Sequence, residues 1–346
     1  MDMQKRWIIL FVALLSISFL GLFYSGHEGV FTDIDSNLNF ADIAWMITAT
    51  IFVLMMTPGL SFFYGGMVRS KNVISTMLQS FIAMGVISVI WVVVGFSLAF
   101  GEDVGHFIGN PGTFFMFVNV GGATDKLLAP TIPLALYALF QMKYAIITPS
   151  LITGSFAERV RFSGYLVFMI LFCIFVYCPL AHWTWHPDGF LRQMGVLDFA
   201  GGIVVHASSG VAALAGAIFL GRRKESGQPA NIPFVLLGAA MLWLGWFGFN
   251  AGSSLAANSI AVKAFLNTNT ASATAMMTWV VFDCLRGRKP SAMGAAIGAV
   301  VGLVAITPSA GYVTVGESIF IALVVTVICN MAVSWKNKKN SFDDAL

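Results

Sequence analysis

An all-α, multi-pass membrane protein is the fold class this sequence predicts, and three observations predict it. Of the 346 residues, 58% are hydrophobic and only 10% charged, with a mean hydropathy of +0.84. Ordinary soluble domains are about 25% charged, and no soluble core could hide so much apolar surface. Nine long apolar segments follow residue 41, at about 42–66, 73–100, 131–156, 162–180, 199–220, 232–253, 257–284, 291–308 and 315–335. Each is about long enough to cross a bilayer. The basic residues also collect in alternate connections between these segments, as the positive-inside rule requires.

Taken in order, Lys5 and Arg6 precede an apolar run, Trp7–Tyr24. This reads as a signal peptide or N-terminal anchor over 1–26, with the membrane domain occupying 27–346. Residues 25–41 are polar and loop-like, and 101–130 is the longest later stretch outside the spans. With Lys5 and Arg6 in the cytoplasm and sides alternating, the cytoplasmic connections take Arg69 and Lys71, Arg159 and Arg161, Arg222 to Lys224, Arg286, Arg288 and Lys289, and Lys336, Lys338 and Lys339. These are 15 of the 19 basic residues; Lys126, Lys143, Arg192 and Lys263 fall elsewhere. The sorting puts residue 41 outside and the C-terminus in the cytoplasm, for a protein of the inner (plasma) membrane. The net charge of +3 is dispersed between spans and gives no reason to expect nucleic acid. Cys173, Cys178, Cys284 and Cys329 sit in or beside apolar runs without metal-ligand spacing, so no metal, cofactor or disulfide framework is expected.

Five spans followed by a second set starting on the opposite side is the arithmetic of an inverted repeat of five-span halves, a common transporter plan. On that plan the partner of span 5 is a span 10, and this sequence stops after span 9. Small residues are abundant, with 34 glycines and runs such as Gly294-Ala295-Ala296-Ile297-Gly298-Ala299. Close helix packing accounts for nearly all of them.

The stretch with the most chemistry is Leu197–Gly210, where Asp198 and His206 interrupt an apolar run. On a helix, residues eight apart lie on nearly one face. An ionisable group at membrane depth is a functional candidate by default. Three clusters fall at the outer ends of spans: Phe140 to Tyr144, His182 to Trp185, and Trp246 to Ser253. One by one they read as an interfacial aromatic belt. Together, with Asn250 and Ser253 among them, they outline a vestibule whose ring faces and hydroxyl suit a small hydrogen-bonding cation. Glu158 and Arg159 read as an ion-paired cap, and Asp343 and Asp344 as solvated charges. Nucleophile–base pairs, metal clusters and phosphate loops are missing, so no catalytic residue is assigned and an enzyme is not expected.

Several longer blocks carry a resemblance. Phe62 to Val73 (FFYGGMVRSKNV), Ser97 to Gly101, Phe156 to Arg159, Asp198 to His206 and Gly245 to Ser253 resemble, in order, the signatures of the ammonium transporter (Amt/Mep/Rhesus) family. The resemblance covers about residues 41–346. It implies an eleven-span fold with pseudo-twofold halves, a homotrimer with one pathway per subunit, and a PII-type cytoplasmic regulator or a fused signalling domain as partner. By position, it implies ammonium recruitment at Trp185 and Ser253 with Tyr144, a gate of stacked rings at Tyr144 and Phe249, a pore histidine at His206, and a structural role for Asp198 beside the site. Three departures accompany it. The second pore histidine belongs to a span beyond Asp343-Asp344, Tyr144 stands where phenylalanine is usual, and Lys143 puts a cation where the family is uncharged.

The implied function is ammonium/ammonia transport across the lipid bilayer, with recruitment, deprotonation and passage of neutral ammonia past His206. The alternative is an ammonium-sensing membrane domain of a signalling protein with little or no transport.

Overall fold

Apolar runs broken by Gly, Pro, Asn and Ser dictate where helices begin and end, and the computed structural model follows those breaks. It describes residues 3–24, 31, 35–223 and 227–339. Lys224, Asp343, Asp344, the C-terminal residue and the 26/27 division lie outside the described residues. The helices are α1 (Met3–Tyr24), α2 (Phe40–Met67), α3 (Ser70–Phe100), α4 (Leu134–Phe156), α5 (Phe162–Gln193), α6 (Gly202–Leu220), α7 (Ile232–Ala251), α8 (Ser259–Leu285), α9 (Ala292–Ile306) and α10 (Val315–Lys339). Polar residues cap their starts. Asn39, Asn231, Asn258 and Ser291 each accept a backbone N–H from the first turn of α2, α7, α8 and α9.

Among the described residues, seven of these helices (α2 to α7 and α10) are long and apolar enough to cross a membrane. The other two expected spans are helical but differ. Helix α8 has 27 residues, yet Asn267, Thr268, Asn269 and Thr270 interrupt its apolar character. Helix α9 has 15 residues, roughly 22 Å at 1.5 Å per residue, against a hydrocarbon core of about 30 Å. Helix α5 runs past the expected residue 180, to Gln193, with a break after Trp185. The loop at 101–130 departs from all-α structure, with an isolated antiparallel bridge between Asp125 and Ala129 and a two-residue hairpin. Asp103–Val104 pairs antiparallel with Ile108–Gly109, turning through Gly105 and His106 at positive φ.

Helices α2 and α7 pack antiparallel through glycine contacts at every second turn. Gly66 meets the backbone at Asn231 and Val235, Gly59 meets Gly238 and Leu242, Gly245 meets Phe52 and Met56, and Gly248 meets Ala49. A Cβ at Gly66, Gly238 or Gly248 would fall within 2.3–2.6 Å of facing backbone atoms, so only glycine fits. The first helix of each half thus lies against its counterpart in opposite direction, as an inverted repeat places them. Helices α8 and α9 repeat the device, with Gly302 against Ala271 and Gly298 against Ala275. The glycine-alanine run of α9 is therefore packing surface.

At the end of the bundle rich in arginine, the expected Glu158–Arg159 cap is replaced by a longer-range tie. Glu158 accepts from Arg69 Nε at 3.0 Å and Asn72 Nδ2 at 2.7 Å, and lies 3.3 Å from Arg223 Nε. Arg159 instead donates to the Gly221 and Ser155 carbonyls. Burial raises the Glu158 pKa, but the bonds from Asn72 and Arg69 outweigh it and hold the carboxyl below its ordinary range. Glu158→Ala is expected to destabilise the protein by about 3 kcal/mol, because it removes the acceptor joining three segments. Thermal unfolding in detergent measures this. A depressed pKa contributes stability above the unfolded value and loses it as pH falls through the folded value. The gap between wild type and variant should therefore close on acidification.

Candidate functional site

The site begins with a helix start. Asp198 precedes α6, and its two oxygens accept four backbone N–H groups: Gly201 at 2.8 Å and Gly202 at 2.7 Å on Oδ1, Ile203 at 2.7 Å and Val204 at 3.2 Å on Oδ2. Those are the donors an α-helix leaves unpaired at its N-terminus, and a carboxylate also suits the dipole there. Gly201 makes the entry turn at φ +109°, a conformation closed to residues with a Cβ. The expectation that Asp198 and His206 share a helical face is thus corrected. Asp198 ends the preceding loop, and only His206 lies on the helix.

The first turn of α6, Gly202–Ala207, is π-helical, as is Phe247–Ala251 in α7. Such single turns often mark functional positions because the extra residue re-aims side chains. Here they turn His206 and Phe249 toward each other, with ring centroids 5.8 Å apart. Trp246 stacks on His206 at 5.3 Å and 20°. His206 Nε2 is buried with no hydrogen-bond partner among the described residues. No second histidine faces it there.

On the other side of Phe249 lies Tyr144, stacked at 4.1 Å and 27°. The Tyr144 ring, with Phe249 stacked behind it, forms the floor of a cavity of about 330 Å³ at the end of the bundle away from Arg69, Arg159 and Arg223. Trp185 stands edge-on to Tyr144 at 5.9 Å, and its indole N–H is fixed on the Asp198 carbonyl at 3.1 Å. Ser253 completes the wall. Its hydroxyl lies 2.9 Å from the Tyr144 hydroxyl and donates to the Phe249 carbonyl at 2.9 Å. The Tyr144 hydroxyl donates to the same carbonyl. The site residues expected from sequence (Trp185, Ser253, Tyr144, Phe249 and His206, with Asp198 beneath) therefore form one contiguous set.

Other expectations are corrected. Asn250 is not in the vestibule; it is fully buried and donates to Thr268 Oγ1 at 2.9 Å. His182 and Thr184 are buried behind Trp185, and Lys143 lies outside the cavity wall with its ammonium 3.9 Å from Met142 Sδ. Sequence reasoning missed Arg192, Phe199 and Tyr312 as cavity lining. Phe199 and Tyr312 meet edge-on at 5.3 Å across more than a hundred residues of chain, a proximity no local spacing signals.

Comparison with known proteins decides the family. The model described as Ammonium Transporter Family matches residues 44–346. The chain belongs to the ammonium transporter family. It is 46% identical over 311 residues to a putative ammonium transporter of Methanothermobacter thermautotrophicus, covering 89% of this chain and 76% of the relative. It is 43% identical over 333 residues to an ammonium transporter of Aquifex aeolicus, covering 96% and 78%. The fold matches the crystal structure of Candida albicans Mep2 with a TM-score of 0.85 at 37% identity, over 91% of this chain and 70% of that one. It also matches a structure described as a sensor Amt protein, with a TM-score of 0.81 at 30% identity, over 88% and 77%. With its apolar helices, this ammonium transporter family member is a multi-pass membrane protein.

Proposed function

We propose that this protein carries ammonium, as ammonia through its centre, across the cell membrane. The observation that supports this best is the succession of contacts: an open cavity walled by Trp185, Tyr144 and Ser253, Phe249 stacked behind Tyr144, then His206, whose Nε2 has no hydrogen-bond partner among the described residues. Ring faces and hydroxyl oxygens accept hydrogen bonds from ammonium, and potassium has none to give. Beyond the floor the surroundings are apolar. Holding a cation at the bilayer centre costs several kcal/mol or more, above ~10 on some estimates. Removing a proton at pH 7 from an amine of pKa about 10 costs about 4 kcal/mol. Deprotonation is the smaller cost, so the neutral species crosses.

On this reading the cavity faces outward and the arginine-rich end faces the cytoplasm, in an inner (plasma) membrane, with 1–26 as signal segment or anchor and 27–346 as the transport domain. A homotrimer, and a PII-type regulator or fused signalling domain at the cytoplasmic end, belong to the same reading. Uptake of ammonium and labelled methylammonium into proteoliposomes tests it. Absence of flux, while a relative transports under the same conditions, would exclude transport and favour the sensing alternative.

Tyr144 gives a sharper check. Its hydroxyl and that of Ser253 converge on the Phe249 carbonyl, tying the two rings together. Opening the floor must break that tie. Tyr144→Phe is expected to raise methylammonium flux about five-fold, the equivalent of one neutral hydrogen bond of about 1 kcal/mol. Unchanged or lower flux would show that the tie is not a closure.

A further inference from the structure

Behind Trp185, where the Asp103–Gly109 hairpin packs on α5, lies a polar cluster that the transport path does not use. His182 is fully buried there. Its Nδ1 lies 3.0 Å from the Ala99 carbonyl of α3, and its Nε2 lies 2.9 Å from Asp103 Oδ1. A carbonyl and a carboxylate can only accept, so both ring nitrogens must carry hydrogen, which makes the ring an imidazolium. Two further observations fit. His182 lies in the last turn of the helical piece Cys178–Trp185, where the carbonyl ends favour a cation. The His186 ring is stacked on it at 4.4 Å and 15°, and His186 Nδ1 accepts the Asp188 N–H at 3.1 Å. That bond keeps His186 neutral, so the stack holds one positive charge.

The hairpin grips α5 on both sides of Trp185. Trp183 Nε1 donates to the Phe107 carbonyl at 2.6 Å, His106 Nδ1 donates to the Asp188 carbonyl at 2.7 Å, and the Phe190 N–H donates to the His106 carbonyl at 3.1 Å. The titratable groups facing His182 are Asp103 and His106 from the hairpin, His186 and Asp188 from the turn after the helix, and Cys178 one turn below. Asp125 acts on His186 at longer range. Asp103 is the counter-charge. Burial raises its pKa, but the bonds from His182 and the His106 N–H hold it below the usual carboxylate range.

We propose that His182 is a positioning residue: bridging Ala99 and Asp103 as an imidazolium, it fixes the outer end of α5 and hence Trp185, and ammonium affinity falls when the Asp103 counter-charge is removed. The affinity half of this rests on the transport reading; the ring state does not. The test uses the full chain in nanodiscs, labelled with ¹⁵N-histidine, with His182 assigned by the signals lost in His182→Gln. Both His182 ring nitrogens should show protonated shifts at about pH 7, and Asp103→Asn should leave one unprotonated. In proteoliposomes at the same pH the KM for methylammonium should rise about ten-fold in Asp103→Asn with kcat kept, the worth of one hydrogen bond to a charged group, and Asp103→Glu should restore it. A neutral ring in the wild type, or equal KM in wild type and Asp103→Asn, overturns the proposal. A protein without flux but with a doubly protonated ring would sink the transport reading and support the clamp.

Discussion

Asp198→Ala is expected to cost about 3–5 kcal/mol of stability and to abolish transport, the larger of the two main effects. Four N–H groups converge on one buried carboxylate. Each hydrogen bond to a charged group contributes about 1.5–3 kcal/mol, and the contributions do not add fully because the donors share one helix turn. Alanine would leave those donors buried without acceptors. It would also release the Asp198 segment whose carbonyl holds the Trp185 indole. Both the Trp185 wall of the cavity and the π-helical turn that aims His206 rest on this one residue. Asp198→Asn is the informative companion: its amide oxygen can accept from two donors, but its NH₂ meets the other two head-on. Unfolding temperature in detergent and methylammonium flux should fall together, with Asn close to Ala. A variant that kept its unfolding temperature and lost only affinity would make Asp198 a ligand of the substrate instead.

The sequence was legible where one physical term dominated. Apolar runs fixed nine helical segments to within a few residues, because at membrane depth a helix satisfies its backbone hydrogen bonds within its own segment. The exception in length, α5, continued past residue 180 because Trp183 and Trp185 are as much at home at an interface as in a span. Legibility failed where long-range polar partners took over. Glu158 chose Arg69 and Arg223 over its neighbour Arg159, a choice set by tertiary packing between segments far apart in sequence. Asp198 looked helical by spacing, but a carboxylate followed by two glycines competes for the free N–H groups and starts the helix instead. His182 and Asn250 looked like vestibule residues because they sit among aromatics. Their direction around the helix, altered by π-helical turns, buries them. The cavity itself draws on α4, α5, the α6 entry, and the loops before α8 and α10. Short motifs named its central residues, and only the fold supplied Arg192, Phe199 and Tyr312.

His206→Ala is expected to reduce methylammonium flux by about ten- to one-hundred-fold while leaving assembly and unfolding temperature nearly unchanged. The ring packs on Trp246 and Phe249, and its Nε2 has no hydrogen-bond partner among the described residues. An orphaned buried nitrogen is a standing cost of about 1–3 kcal/mol, which a structural histidine would have offset with a partner. What it offers instead is a hydrogen bond to a neutral molecule that has just passed the rings. Ammonia entering an apolar passage forfeits its bonds to water, and leaving it unsatisfied there costs about 1–3 kcal/mol, which corresponds to the predicted range in rate. The same nitrogen can receive the proton that ammonium must shed, which couples passage to proton movement. Flux and potassium conductance measured together separate these roles. Reduced flux with selectivity kept assigns the hydrogen bond, and conductance gained for potassium assigns the desolvation barrier to the ring itself. A variant equal to wild type in both would remove His206 from the pathway, and with it the argument that the chain moves a neutral species past a hydrogen-bonding group.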